Sequence, residues 1–277
     1  MLPFSVRACI GSAGVALDYG QAHWFHVSKA SIEELQRIVN DYSGSSDGSP
    51  LDSARSYALL ATLADMCISR AERKHADSRS AFAKLLSAIG TTVTSYMGSD
   101  AAGARNHVLL NTVHVHEFLQ PSIKDTRFIG NPLIMHPIAT PLEQLKHKTE
   151  PKLYAQTVQY YESEMARIDL RMVSGFIDMV DRNPAAHANL ATFALTAPSV
   201  LSVIDERRYG MHRVDFGCGA PSWVSGIPRH MPNLVAMFTQ PADSSTGGVH
   251  LFVTLRPGVI NHLLADSFFT TYAEFLY

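Results

Sequence analysis

The sequence has little charge, few cysteines and no long apolar run, and each shortage excludes a class of protein. Charged residues make up 17% of the 277 residues and the formal net charge is −2, which gives no electrostatic basis for binding nucleic acid or an anionic membrane. The apolar runs are too short to span a bilayer. The three cysteines, Cys9, Cys67 and Cys218, are far apart, so we expect reduced thiols and a cytoplasmic location.

Several signatures of catalysis and binding are also absent. The sequence has no Gly-x-Ser-x-Gly nucleophile elbow, no phosphate-binding glycine loop and no dinucleotide-binding fingerprint. No basic segment precedes the first apolar stretch, so no signal peptide is expected. The one His-x-His run brings no third ligand at metal-site spacing, so we expect neither a metal nor another cofactor.

The hydrophobic fraction is 46%, which is enough for a sizeable core, and it is distributed over helix-like and strand-like segments. Helix periodicity and start signals predict helices at Ser53–Lys74, Ser80–Ile89, from Thr140, at Pro151–Val180 and at Pro257–Tyr277. Alternating or β-rich runs predict strands at His107–Phe118, Leu190–Val200, Leu234–Thr239 and Val249–Leu255, the last two as a hairpin. The pattern predicts a mixed α/β (α+β) fold with helices packed on a mixed β-sheet.

The most informative motif is Asp215-Phe216-Gly217-Cys218-Gly219. It resembles the Asp-Phe-Gly-Trp-Gly signature of the BAHD acyltransferases, which transfer acyl groups from coenzyme A to alcohols or amines. Other segments resemble family landmarks in the same order along the chain: Phe25–Ser28 with Ile32 and Leu35, the helix from Ser53 to Ala71, Val113–His116, and Gly130-Asn131-Pro132. The resemblance implies the family's C-terminal domain, a mixed sheet flanked by helices as in chloramphenicol-acetyltransferase-like folds.

The sequence departs from the family at positions that matter for chemistry. The family's His-x-x-x-Asp motif supplies the catalytic base, and nothing upstream of Asp215 matches it. The Ser-Thr pair of the family's first helix signature falls on Ala54-Arg55. A literal His-x-x-x-Asp occurs only late, at His262–Asp266, where the predicted C-terminal helix makes an exposed ion pair the expectation.

The resemblance implies one domain over residues 1–277. Residues 1–24 are interpreted as a remnant of the family's inter-domain crossover, and 43–50 and 91–105 are predicted to be flexible loops. BAHD enzymes place their active site between two such domains, so a lone domain would expose its inner face. We therefore expect a homo-oligomer or a complex with a separately encoded N-terminal half, acting on a small molecule.

Three histidines, His114, His116 and His136, are the candidate catalytic residues. His114 and His116 are two apart on a predicted strand, so they share a face and could act as general base and partner. The alternative is structural, with His116 contacting Asp215, because these histidines fall where the family has the Asp and Arg of Val-Asp-x-Arg. His136 lies in a stretch that resembles the family's channel-lining strand.

A second group of residues is expected to be structural or to bind substrate. Asp215 is expected to accept backbone hydrogen bonds in a tight turn, in which glycines take backbone angles denied to other residues. The structural set is Asp215, Gly217, Cys218, Gly219 and Asn131. Arg229 and His230 follow the signature where the family approaches its substrate channel, so they are candidates for substrate binding.

Three functions are open from the sequence. The first is a truncated BAHD-like protein of natural-product biosynthesis that performs acid–base-assisted cyclisation or isomerisation without coenzyme A. The second is the C-terminal half of a split acyltransferase that uses a coenzyme A thioester and needs a partner with His-x-x-x-Asp. The third is a non-catalytic binding module.

Overall fold

The structure is a computed structural model, and only part of the chain is described. The described residues are 20–43, 51–78, 106–118, 133–141, 150–185, 200–210, 214–215, 217–219, 221, 233–240 and 247–277. The predicted helix Ser80–Ile89, the predicted loop 91–105, residues 44–50 of the other loop and residues 190–199 of a predicted strand lie outside this part.

The described strands form one seven-stranded mixed sheet in the order β3-β2-β4-β5-β6-β1-β7. The strands are β1 (Gln21–Val27), β2 (Asn106–His114), β3 (Leu133–Pro141), β4 (Val200–Asp205), β5 (Leu234–Thr239), β6 (Val249–Leu255) and β7 (Glu274–Phe275). β2, β4 and β5 are parallel to one another, and the other neighbouring pairs are antiparallel. The predicted mixed sheet and the predicted β5–β6 hairpin are confirmed.

The described helices pack mainly on one face of this sheet. They are α1 (Lys29–Ser43), α2 (Ser53–Ser78), α3 (Pro151–Ala166), α4 (Leu170–Arg182), α5 (Val259–Leu264) and α6 (Ser267–Tyr272), with short 3-10 turns at Val115–Phe118 and Arg207–Tyr209. α1 buries Ile32, Leu35 and Val39, which recur at helical spacing, against the main core. α2 is buried along most of its length, so it is the central helix of this layer.

Side-chain alternation along the strands divides the core in two. Phe25, Val27, Leu251 and Val253 point to the helix face and belong to the main cluster. Neighbouring positions on the same strands point the other way, where the Trp24 ring lies 5.0 Å from that of Phe252. We call these two sides of the sheet the helix face and the aromatic face.

Two predicted helices are interrupted by caps that the sequence pattern did not reveal. The segment predicted as one helix, Pro151–Val180, forms α3 and α4, because the Asp169 side chain accepts a hydrogen bond from the Met172 amide and starts a new helix. The predicted helix Pro257–Tyr277 forms α5, α6 and β7. Asp266 caps α6 by accepting hydrogen bonds from the amides of Phe268 and Phe269.

The helix start predicted at Thr140 is wrong. Thr140 and Pro141 end strand β3, where they pair with His107 and Asn106 of β2. β3 lies at the edge of the sheet, and an edge strand tolerates proline because one side of it needs no ladder partner. Strand pairing therefore overrides a local capping signal.

Candidate functional site

One edge of the sheet gathers most of the polar residues of interest. β1, β2, β4 and β5 run in the same direction, so their carboxyl ends lie at this edge. α1 begins there because it follows β1 after a single residue. Ligands of open α/β sheets bind outside the carboxyl ends of the strands, which makes this carboxyl edge the place to search.

A cavity of about 350 Å³ opens at the carboxyl edge, between the first turns of α1 and α2, the end of β5 and the start of β6. Its apolar lining is Ile32, Leu51 and Val249. Its polar lining is Lys29, Asp52, Ser53, Ser56, Arg207 and Thr239, with the backbone at Gly248. The cavity is therefore amphipathic, with hydroxyl groups beside aliphatic surface.

Arg207 joins the end of β4 to the first turn of α2. Its Nε lies 2.8 Å from Asp205 Oδ1 and its Nη2 lies 2.9 Å from Asp205 Oδ2, which makes a two-pronged ion pair. Nη1 donates to Ser56 Oγ at 2.7 Å, and Nη2 donates to the Ser53 carbonyl at 3.0 Å. Both charged side chains are less than a tenth exposed, so this clamp sets the position of the cavity wall.

Side chains cap both helices that begin at the cavity. Asp52 Oδ1 accepts a hydrogen bond from the Arg55 amide at 2.6 Å, at the start of α2. Ser28 Oγ accepts from the Ser31 amide at 3.0 Å, at the start of α1. The exposed Lys29 ammonium lies 3.7 Å from Glu33. The charges and helix ends around the cavity are thus largely compensated.

Gly248 fixes the rim of the cavity next to the end of β1. Its φ is +113°, and a Cβ atom at this position would lie 2.3 Å from the Val27 carbonyl oxygen. The adjoining Gly247 carbonyl accepts a hydrogen bond from His26 Nε2 at 3.0 Å. A side chain at position 248 would therefore force β1 and the start of β6 apart.

His114 is the last residue of β2 and lies at the carboxyl edge. Its Nε2 is 3.5 Å from the Tyr209 hydroxyl, and the two rings meet edge-on with centroids 5.4 Å apart. Partial burial raises the pKa of Tyr209 above its ordinary value. The chain leaves the strand at Val115 and forms a 3-10 turn through His116, so the argument that His114 and His116 share a strand face does not hold. The His116 side chain lies outside the described part.

His136 lies on the other side of the sheet from His114. It pairs with Asn111, whose side-chain oxygen accepts hydrogen bonds from Tyr57 and Tyr161 on the helix face. His114 is three positions from Asn111 along β2 and so points to the aromatic face. Partial burial lowers the pKa of His136, against a smaller raising effect of Glu164. The structure therefore does not bring these two candidate histidines together.

The sequence matches the Transferase family over residues 25–267. This chain belongs to that family, the family of the BAHD acyltransferases. A search of curated proteins finds no match.

Solved structures of similar fold are about twice as long as this chain. TRI101 of F. sporotrichioides, complexed with coenzyme A and T-2, is 16% identical with a TM-score of 0.57, covering 93% of this chain and 51% of that one. TRI101 of F. graminearum, complexed with coenzyme A and deoxynivalenol, is 16% identical with a TM-score of 0.55, covering 92% and 50%. Vinorine synthase is 14% identical with a TM-score of 0.52, covering 91% and 49%. This chain thus spans about half the length of the structures that it matches.

The late BAHD signature forms a tight turn around its acidic residue. Asp215 Oδ1 accepts hydrogen bonds from the amides of Gly217 at 2.7 Å and Gly219 at 2.9 Å. These bonds lower the pKa of Asp215, and the two glycines have φ of +96° and +98°. The Asp215 carboxylate thus has backbone partners, and Cys218 between the glycines is an exposed thiol. Asn131, Arg229 and His230 lie outside the described residues.

The literal His-x-x-x-Asp of this BAHD-family chain is not a catalytic pair. Asp266 is buried, lies 2.7 Å from the Arg70 guanidinium and caps α6. His262 instead has its ring 5.9 Å from that of His75. The expected exposed ion pair at this motif is therefore wrong, because α5 ends before Asp266.

Sequence reasoning missed Lys29, Arg207, Tyr209 and the two serines of the cavity. Ser53 and Ser56 flank Ala54-Arg55, the positions where the family's Ser-Thr pair falls, and this proximity was the available signal. Over the described residues, no group of three or more His, Cys, Asp or Glu side chains could hold a metal ion. A search of the same residues finds no helix with the length and apolarity needed to cross a membrane.

Proposed function

We propose that this chain is the donor-binding part of a BAHD-type acyltransferase that uses a coenzyme A thioester as a substrate. The cavity at the carboxyl edge is the observation that carries the proposal. Its hydroxyl groups suit the amides and hydroxyl of a pantetheine arm, and its aliphatic walls suit the dimethyl group of that arm. Membership of the family and the coenzyme A complexes of TRI101 support this assignment.

The proposed reaction transfers the acyl group to an alcohol or amine of a small molecule. The acceptor oxygen or nitrogen forms a bond to the acyl carbon, the carbon–sulfur bond breaks, and the acceptor proton ends on the released thiol. A general base must take that proton as the bond forms. Because Asp266 is committed to Arg70 and to its capping role, we assign the base to a His-x-x-x-Asp outside these 277 residues.

The test is a calorimetric titration of the purified chain with acetyl-coenzyme A. Ser53→Trp keeps the backbone carbonyl that Arg207 contacts and fills the cavity, so it should weaken binding by about tenfold or more, or about 1.4 kcal/mol. Ser163→Trp is the matched control, because Ser163 is exposed on α3. Equal affinities of the two variants, or no binding by the folded wild-type chain, would contradict the proposal.

A second candidate function rests on the contact between His114 and Tyr209. An imidazole and a phenol at the carboxyl edge could pass a proton during a cyclisation or isomerisation that needs no coenzyme A. Such chemistry matches the repurposed enzyme expected from the missing His-x-x-x-Asp. If neither chemistry is found, a binding module without catalysis is the function left.

This candidate is tested without coenzyme A. The chain is incubated with a cell metabolite extract, and isomeric or cyclised products are resolved by chromatography and mass spectrometry. His114→Ala and Tyr209→Phe should each abolish or strongly slow any conversion. Tyr42→Phe, on the exposed side of α1, should not. Equal conversion by all variants would remove this candidate.

We further propose that the chain works in the cytoplasm with a protein partner, either a second copy or a separate N-terminal half. α4 exposes Leu170 (58%) and Ile177 (52%), which are seven residues apart and so lie on the same side of the helix, and this exposed apolar pair supports a contact with a partner. Sedimentation at high dilution tests this proposal. A folded, stable monomer that also does not bind an added N-terminal half would contradict it.

A further inference from the structure

The cavity at the carboxyl edge is better built for a neutral chain than for phosphate groups. We infer that it recognises an acyl donor through the pantetheine arm, and that the nucleotide phosphates of coenzyme A contribute little to affinity. This inference rests on the proposed function, since it concerns the same cavity. It predicts that a thioester of pantetheine alone is an equally good ligand.

Arg207, a cation of the cavity lining, already has a buried counter-charge. Arg207 pairs with Asp205 through two short bonds, and two more of its N–H groups donate to Ser56 and the Ser53 carbonyl, so these bonds use four of its five donors. Arg207 is only 7% exposed, and a phosphate that took its charge away from Asp205 would leave the Asp205 carboxylate without its buried counter-charge. Arg207 is therefore a structural clamp and a poor anchor for an anion.

Lys29 and Asp52 are the other charged residues in the described part of the lining. The Lys29 ammonium is exposed and lies 3.7 Å from Glu33, so its attraction for an anion is weakened by a neighbouring carboxylate and by solvent. Asp52 places a negative charge on the wall itself. The charges near the cavity thus do not favour a polyanion.

Side chains cap the starts of α1 and α2 beside the cavity. Free amides at a helix N-terminus often bind phosphate. Here the Asp52 carboxylate already accepts from the first turn of α2 and opposes the positive end of that helix. At the start of α1, the neutral Ser28 hydroxyl accepts a hydrogen bond from the Ser31 amide. One first-turn amide of each helix is thus already used, which weakens both helix starts as phosphate sites, whereas hydroxyl and aliphatic lining are available to an uncharged arm.

The experiment compares acetyl-coenzyme A with acetyl-pantetheine by calorimetric titration of the full chain. We expect the two Kd values to agree within about threefold. Raising the salt from about 50 to about 500 mM should change the Kd of acetyl-coenzyme A by less than about twofold, since no phosphate contact is screened. Lys29→Glu should alter both Kd values by the same factor, and Ser53→Trp should weaken both ligands together.

Other outcomes separate this inference from the proposal on which it rests. If acetyl-coenzyme A binds but acetyl-pantetheine is about tenfold weaker or worse, the inference is overturned and the donor site survives. A Lys29→Glu variant that loses acetyl-coenzyme A selectively overturns it in the same way, because Lys29 would then contact a phosphate. If neither thioester binds to the folded chain, both the inference and the proposed function are overturned.

Discussion

At the scale of single residues, Arg207 and Asp205 are the pair on which the geometry of the carboxyl edge depends. Their side chains are buried at the end of β4, and the guanidinium reaches across to the first turn of α2. A buried ion pair adds little net stability when both partners are present, but removing one partner leaves an uncompensated charge. Arg207 is thus more informative as a target for mutation than any exposed cation.

Replacing Arg207 by alanine should destabilise the fold by about 3–5 kcal/mol, because it leaves the buried Asp205 carboxylate without a counter-charge and removes the hydrogen bonds to α2. Urea unfolding measures the loss. Arg182→Ala is the control, since Arg182 lies 3.7 Å from Asp178 on the exposed side of α4 and should cost about 0.5 kcal/mol or less. A double Asp205→Ala, Arg207→Ala variant should lose less unfolding free energy than Arg207→Ala, because no unpaired charge remains. Equal losses for Arg207→Ala and Arg182→Ala would contradict the clamp.

Burial of His136 predicts a pH dependence of stability. Burial lowers its pKa, so the folded state prefers the neutral ring and the unfolded chain takes up the proton first as the pH falls through about 6.5. The stability contributed by the neutral ring is therefore complete above that pH and declines below it. His136→Gln should make the decline shallower in urea unfolding between about pH 7.5 and 5. An unchanged pH dependence in the variant would show that His136 does not contribute to it.

At the scale of elements, predictions held where the signal is local. The apolar residues of α2 recur at helical spacing, and two β-rich runs separated by a short segment form the β5–β6 hairpin. Both elements lie where the sequence pattern predicted them. Predictions failed where a contact with a residue distant in sequence determines the secondary structure. Thr140 belongs to a strand because β2 is beside it, and Asp266 ends the predicted C-terminal helix because Arg70 and the α6 amides hold its carboxylate.

The candidate site shows the same division between local and distant signals. His114 was visible in the sequence because it lies two residues from His116 in a strand-like run. The clamp was not, since Arg207 and Ser56 are 151 residues apart and only the fold brings them together. Even a correct strand prediction would not have placed His114 and His136 on opposite faces of the sheet, because that placement depends on the register of β2 against β3.

Alanine substitutions at two glycines, Gly248 at the junction of β1 and β6 and Gly175 within α4, should have opposite effects on stability. Gly248→Ala should destabilise the protein by about 1–3 kcal/mol or more, because φ is +113° and the new Cβ would meet the Val27 carbonyl. Gly175→Ala in α4 has open space around its Cβ and should stabilise by about 0.5–1 kcal/mol through helix propensity. Thermal unfolding of both variants checks the pair. A neutral Gly248→Ala would contradict the tight contact at the rim.

At the scale of the whole molecule, this chain is a family member with about half the length of its structural relatives. Its described helices cover one face of the sheet, and the other carries the aromatic cluster around Trp24 and Phe252. The two candidate chemistries belong to different parts of the carboxyl edge. The donor cavity lies beside α1 and α2, whereas His114 points to the aromatic face.

Hydrogen exchange in the presence and absence of saturating acetyl-coenzyme A tests the central claim most directly, because a bound ligand slows local opening at the amides that it covers. We expect slower exchange in residues 28–32, 51–56 and 247–249, which surround the cavity, and little change near His114. No protection of these three segments, or protection confined to the neighbourhood of His114 and Tyr209, would contradict the assignment of the cavity as the donor site.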